Sequence, residues 1–149
     1  MVMKMTDTVF SNGCIELDVP ECWKVFSSLD SDGKITPKKV HVYKDASVDV
    51  DIFTHAGITV CMYGKSEYYL SPKFFYDDVC DIEPFTVGKN TWNGFSCTSL
   101  GYPYIILDTK QDGCTIQVMI LLQNGDRKIS LDDEDVKKII GNISVTEIE

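Results

Sequence analysis

The stretch that most constrains this chain is Cys114–Leu122, reading Cys-Thr-Ile-Gln-Val-Met-Ile-Leu-Leu, which leads through Asn124-Gly125 into an amphipathic segment ending at Val145. In extended backbone, side chains alternate between faces. Cys114, Ile116, Val118, Ile120 and Leu122 therefore share one face, and Thr115, Gln117, Met119 and Leu121 the other. The far half is apolar on both, which predicts a strand in the middle of a sheet. Downstream, Val136, Ile139, Ile140 and Ile143 recur at i, i+3, i+4 and i+7, the stripe of a helix with one buried side. Asp132 is the expected N-cap, with Leu131 and Val136 as a hydrophobic staple and Asp133, Glu134 and Asp135 in the positively polarised first turn. Gly141 is expected to end this helix in the left-handed conformation.

Upstream, short alternating runs dominate. Ile15, Leu17 and Val19 alternate with Glu16 and Asp18 up to Pro20, which cannot donate to a ladder. Trp23-Lys24-Val25-Phe26 begins a second extended piece. Val40 and Val42, then Val48, Val50 and Ile52, then Ile58, Val60 and Met62 each alternate with polar or smaller neighbours. Strands this close in sequence imply an antiparallel meander, because a parallel return needs a crossover of roughly a dozen residues. Ser71-Pro72 is an N-cap and N1 pair predicting a helix of about two turns through Phe74, Phe75, Asp78 and Val79. Trp92-Asn93-Gly94 is expected at a hairpin tip, followed by a strand from Tyr104 to Thr109. These elements predict one α+β domain over 1–149: a meander-rich antiparallel sheet of about seven strands, with a C-terminal helix and one short central helix packed on it. Residues 1–10 are expected to be a flexible N-terminus.

A chain of 149 residues, 44% apolar, can bury a core without disulfide or metal. Its net charge of −9 repels phosphate backbones and anionic lipid. The one small cluster of bases, Lys34, Lys38 and Lys39, is offset by Asp30 and Asp32, so no nucleic-acid partner is expected. No run has the length of a membrane span, so no membrane insertion is expected either. Met1–Asp7 lacks the layout of a signal peptide. As written the chain reads as cytoplasmic, or as exported or lipid-anchored had a leader been removed. Six cysteines at 14, 22, 61, 80, 97 and 114 include no C-x-x-C pair and are read as reduced thiols.

Gly13-Cys14-Ile15-Glu16-Leu17-Asp18-Val19-Pro20-Glu21-Cys22-Trp23 resembles the opening of the Mog1/PsbP-like superfamily, including its DcrB-related bacterial members: glycine, alternating strand, proline, tryptophan. Asn93-Gly94-Phe95 resembles that family's central hairpin. Asp132–Val145, with Ile139-Ile140-Gly141-Asn142-Ile143, is similar to its closing helix. The resemblance implies a bacterial, non-catalytic binding scaffold built on an antiparallel sheet, used for work as different as Ran binding, photosystem assembly and effector chaperoning. Many members carry a longer helix before the central strands than this chain can form. No catalytic set or cofactor comes with the resemblance.

Individual motifs add little chemistry. Asp30-Ser31-Asp32-Gly33-Lys34 resembles part of a calcium loop, but Ser28 and Lys39 stand where the first ligand and the bidentate carboxylate belong. An Asx-type turn is the expectation. His41 and His55 have no zinc-spaced partners, and there is no phosphate-binding glycine loop or nucleophile elbow. No metal or cofactor is expected. Asp49 and Asp51 share a strand face by alternation and read as a solvated polar side. Aromatic density is the most suggestive feature, since eleven of the sixteen aromatic residues lie between Tyr63 and Tyr104. Tyrosine and tryptophan are enriched where proteins bind proteins. The expected partner-binding patch is Tyr68, Tyr69, Tyr76, Trp92 and Tyr102, on a non-catalytic protein-interaction module. Two alternatives are an acidic antidote shielding a basic toxin, which needs its carboxylates on one face, and a thiol-dependent enzyme, which needs a cysteine beside His41 or His55.

Overall fold

The computed structural model describes residues 8–147. Two strands open the chain, β1 (Thr8–Ser11) and β2 (Ile15–Val19), followed by β3 (Trp23–Leu29) and β4 (Ile35–Lys44). A 3₁₀ turn, Asp49–Phe53, precedes β5 (Gly57–Tyr63), and a second, Pro72–Phe75, precedes β6 (Asp77–Val87). Then come β7 (Asn90–Ser99), β8 (Tyr102–Gln111), β9 (Cys114–Leu121), β10 (Gln123–Asn124), β11 (Arg127–Lys128), α1 (Glu134–Asn142) and β12 (Ser144–Val145). The main sheet has seven strands in the order β3-β4-β5-β9-β8-β7-β6, all neighbours antiparallel. As its two-sided apolar pattern required, β9 is the central strand, buried over nearly its whole length. A small sheet, β1-β2-β12, lies with α1 over one face of the large one. The fold is α+β, with more strands than expected and a single α-helix among the described residues.

The core is the contact between these layers. Ile58, Val60, Ile116, Val118 and Ile120 from β5 and β9 meet Ile15 and Leu17 of β2 and Val136, Ile139, Ile140 and Ile143 at α1, nearly all without solvent contact. Asp135 fastens the helix start, accepting from Trp23 Nε1 at 2.9 Å and pairing with Lys44 Nζ at 3.2 Å. Asn90 fastens its end: the buried side chain donates from Nδ2 to the carbonyls of Ile140 (3.0 Å) and Ile143 (3.1 Å). No helix among the described residues is long and apolar enough to cross a membrane.

Several sequence expectations are corrected. The helix N-cap is Asp133, not Asp132. Gly141 is inside the helix and lacks a positive φ. Its role is close approach, since a β-carbon there would stand 2.9 Å from Val87 Cγ1. Val48–Phe53 is no strand: Asp51 accepts from the backbone N–H of Ser47 (2.7 Å) and Val48 (3.1 Å) and folds the segment into the 3₁₀ turn. The Ser71-Pro72 helix lasts one 3₁₀ turn, because the residues after it are taken up by β6. Pro84 is tolerated within β6 because that strand is an edge with a register shift between Ile82 and Phe85. The hairpin tip is Gly88-Lys89, and Asn93-Gly94 lies inside β7, where Gly94 sits so near Ile106 O that a β-carbon would be 2.1 Å away. Of the expected flexible N-terminus, residues 1–7 lie outside the described residues, while Thr8–Phe10 pair with β2. The Asx turn forms as expected, with Asp30 Oδ1 accepting from Asp32 N (2.9 Å) and Lys34 N (3.0 Å).

Candidate functional site

Among the described residues, the face of the main sheet opposite α1 carries no α-helix, only the two 3₁₀ turns and their flanks. Register decides which side chains it presents. Tyr43, Gly57, Leu121 and Tyr104 form one row across β4, β5, β9 and β8, with Thr59, Met119, Ile106 and Phe95 in the next row across β5, β9, β8 and β7. Phe26, Tyr43 and Leu121 make one small apolar cluster and Phe95, Cys97 and Ile106 another, and Tyr104 packs against both.

Over this floor stand two ridges. Ile52 plugs the turn Asp49–Phe53 onto the first cluster, leaving Val48, Val50 and Phe53 exposed, the last at 75%. Asn124 Nδ2 donates to the carbonyls of Phe53 (3.1 Å) and His55 (3.3 Å), which fixes the end of that ridge. The second ridge is the segment 68–76. Tyr69 folds inward, edge-on to Tyr63 at 5.0 Å. Its hydroxyl accepts from Gln117 Nε2 (3.2 Å) and is 3.5 Å from Asp108 Oδ2. Tyr76 tilts against Phe95. Tyr68, Leu70, Phe74 and Phe75 point outward, with Phe74 at 91% exposure.

Beside the first ridge, Tyr43, Ile52, Phe53, Tyr102 and Tyr104 frame a pocket of about 300 Å³ next to His41. Burial raises the Tyr43 hydroxyl to about 12, assisted by the nearby Tyr104. Burial likewise raises Tyr69 and Asp108. His41 is lowered by burial and by the charge of Lys39, and its Nδ1 lies 2.8 Å from Thr59 Oγ1. Burial pushes the Cys61 thiol up.

Of the expected patch, Tyr68, Tyr69, Tyr76 and Tyr102 belong to this face or its ridges, with Tyr68 and Tyr102 exposed and Tyr69 and Tyr76 half-buried. Trp92 does not belong to it. It is opposite Phe85 on the α1 side, 0% exposed, and among the described residues its Nε1 has no acceptor. Sequence reasoning missed Tyr43, Phe53 and Tyr104. The available signal was the second apolar face of β9, Met119 and Leu121, which required cover that no second α-helix among the described residues supplies.

No family model matches the chain, and no curated protein matches it. A solved structure of a protein from Bacteroides thetaiotaomicron is similar, with a TM-score of 0.51 at 9% identity, covering 97% of this chain and 50% of that one. The chain thus spans about half the length of that structure. Likeness at this identity concerns the fold alone.

Proposed function

We propose that the chain is a non-catalytic protein-interaction module that engages its partner through the helix-free sheet face. One observation carries this: Phe53, Tyr68, Leu70, Phe74 and Phe75, all at least 64% exposed, project from the two ridges on that face, and Phe53 also lines an aromatic pocket. Such grouping of large exposed apolar side chains is costly in water unless a partner covers them, and aromatic anchors around a pocket are the usual centre of a protein interface. The likeness to Mog1/PsbP-like scaffolds, carried by Gly13–Trp23 and Asp132–Val145, is a proposal of the same kind.

The alternatives are weaker. An antidote to a basic toxin wants its carboxylates on one face, yet they occur on β2, the β3–β4 turn, β6 and α1 alike. A nucleophilic thiol wants a lowered pKa beside a histidine that gains a proton. Cys61 and His41 are shifted in the opposite directions. The test is site-specific photo-crosslinking in the native cells. A crosslinker at Phe74 should trap one discrete partner, and one at Glu134 on α1 should not. Equal trapping from both positions, or none from Phe74, removes the reading.

A further inference from the structure

We propose that the pocket framed by Tyr43, Phe53, Tyr102 and Tyr104 receives a methylated ammonium group. This rests on the reading of the helix-free face as the binding surface, and it names the chemistry that surface accepts. The four rings come from three places in the chain: β4, the turn Asp49–Phe53, and β8. All four line one space. Tyr43 lies flat as floor at 7% exposure, and Phe53 and Tyr102 form the lips at 75% and 44%. The flatness of Tyr43 is built in, because Gly57 beneath it has no β-carbon to lift the ring. The remaining lining comes from Ile52, Leu121, Asn124 and His41.

The lining selects the ligand. Aromatic faces carry negative quadrupole potential and attract cations placed over them. Among the described residues no lysine, arginine, aspartate or glutamate lines the pocket, and burial together with Lys39 favours the neutral form of His41. With no carboxylate inside, a primary ammonium would lose strong hydration without an ion-pair partner. A methylated ammonium is weakly hydrated and needs only the rings. The net charge of −9 favours a cation over an anion. The volume of about 300 Å³ is at the small end of ligand sites, roughly 300–1,000 Å³, and suits a head group better than a whole cofactor. The same chemistry could be offered by a free quaternary amine or by a methylated lysine on a partner protein.

The experiment is titration of the folded chain, followed through its tyrosine and phenylalanine ring resonances, with choline, with N-acetyl-trimethyllysine methylamide, and with 3,3-dimethylbutanol, the uncharged isostere of choline. Saturable shifts at Phe53, Tyr102 and Tyr104 are expected with both cations, with the isostere roughly five- to thirtyfold weaker. Whichever cation binds more tightly identifies the source. Phe53→Leu should weaken the cations by about tenfold while Phe53→Tyr retains them. Because Phe53 is exposed, the fold is not at stake in either variant. Equal binding of the isostere, an unchanged Phe53→Leu, or no saturable shift overturns the assignment. Should that happen while the crosslinker at Phe74 still traps its partner, the pocket assignment fails and the interaction reading stands.

Discussion

The ring of Tyr43 lies directly on Gly57: a β-carbon at residue 57 would stand 2.3 Å from Tyr43 Cγ. Two sheet neighbours, Tyr43↔Gly57, thus form one flat unit under the pocket. Gly57 has no positive φ, so its reason for being glycine is this approach and not backbone strain. Gly57→Ala should cost about 1–3 kcal/mol through forced displacement of the ring, outweighing the roughly 0.4–1 kcal/mol normally gained by removing glycine freedom from the unfolded chain. Combining it with Tyr43→Ala removes the clash, so the double variant should lose less than the summed single losses, by about 1 kcal/mol or more. Urea unfolding of the four proteins checks this, and simple additivity would refute it.

The two sheet faces should respond oppositely to truncation. Ile140 has no solvent contact and packs between α1 and the main sheet, so Ile140→Ala should lose about 2–5 kcal/mol from burial and cavity terms together. Tyr68→Ala and Phe74→Ala, both on the open ridge, should stay within about 0.5 kcal/mol of the parent. Thermal or urea denaturation measures both. A large loss at Phe74 would mean that the ridge is structural.

The contrast follows what the sequence could reveal. α1 was legible because one burial partner imprints a clean 3.6 period on Val136–Ile143, and β9 because cover on both faces leaves Cys114–Leu121 a nearly continuous buried run. Val48–Phe53 has an equally clean period of two and still forms a turn, since the Asp51 carboxylate satisfies the local backbone donors that a ladder would have used. Aromatic density singled out Tyr68 and Tyr102, which are exposed, together with Trp92, which is buried on the other face. Which face a strand residue takes depends on register, and Trp92 is one side of β7 while Phe95 is the other. The pocket residues Tyr43, Phe53 and Tyr104 are far apart in sequence, so only the strand order brings them together.

Asn90 closes the end of α1 from outside the helix. At 2% exposure it supplies donors to Ile140 O and Ile143 O and accepts from Gln111 Nε2 at 2.7 Å. Gln111 in turn donates to Ile143 O and accepts from Val145 N, so β7, β8, α1 and β12 share one polar knot. Asn90→Ala takes the side-chain donor from Ile140 O and leaves Ile143 O to Gln111 alone, and should cost about 1–3 kcal/mol. Asn90→Asp should be worse at neutral pH, because a carboxylate would face carbonyls at the negative end of the helix dipole. Asn142→Ala, which removes an exposed bond to Asp18, should change stability by no more than about 0.5 kcal/mol. Equilibrium unfolding ranks the three, and parity of Asn90→Ala with Asn142→Ala would show that the knot contributes nothing.

Alkali should loosen the open face first. Tyr43 ionises near 10 in an unfolded chain but is raised to about 12 in the fold by burial. Below pH 10 the phenol is neutral in both states and exerts no drag. Between 10 and 12 the unfolded chain releases a proton that the fold retains, so stability falls by about 1.4 kcal/mol per decade for this one group. Tyr63, Tyr69, Tyr76 and Tyr104 are raised by burial too, and their losses add in the same direction. Urea midpoints measured from pH 8 to 11.5 should therefore decline gently from about pH 9, where the buried thiols of Cys14, Cys61 and Cys97 hold protons that the unfolded chain releases, and drop more steeply beyond pH 10. Tyr43→Phe should make the steep part shallower while leaving stability at pH 8 within about 1 kcal/mol of the parent. An identical alkaline slope in Tyr43→Phe would show that the Tyr43 hydroxyl meets water freely, and the flat floor of the pocket would have to be abandoned.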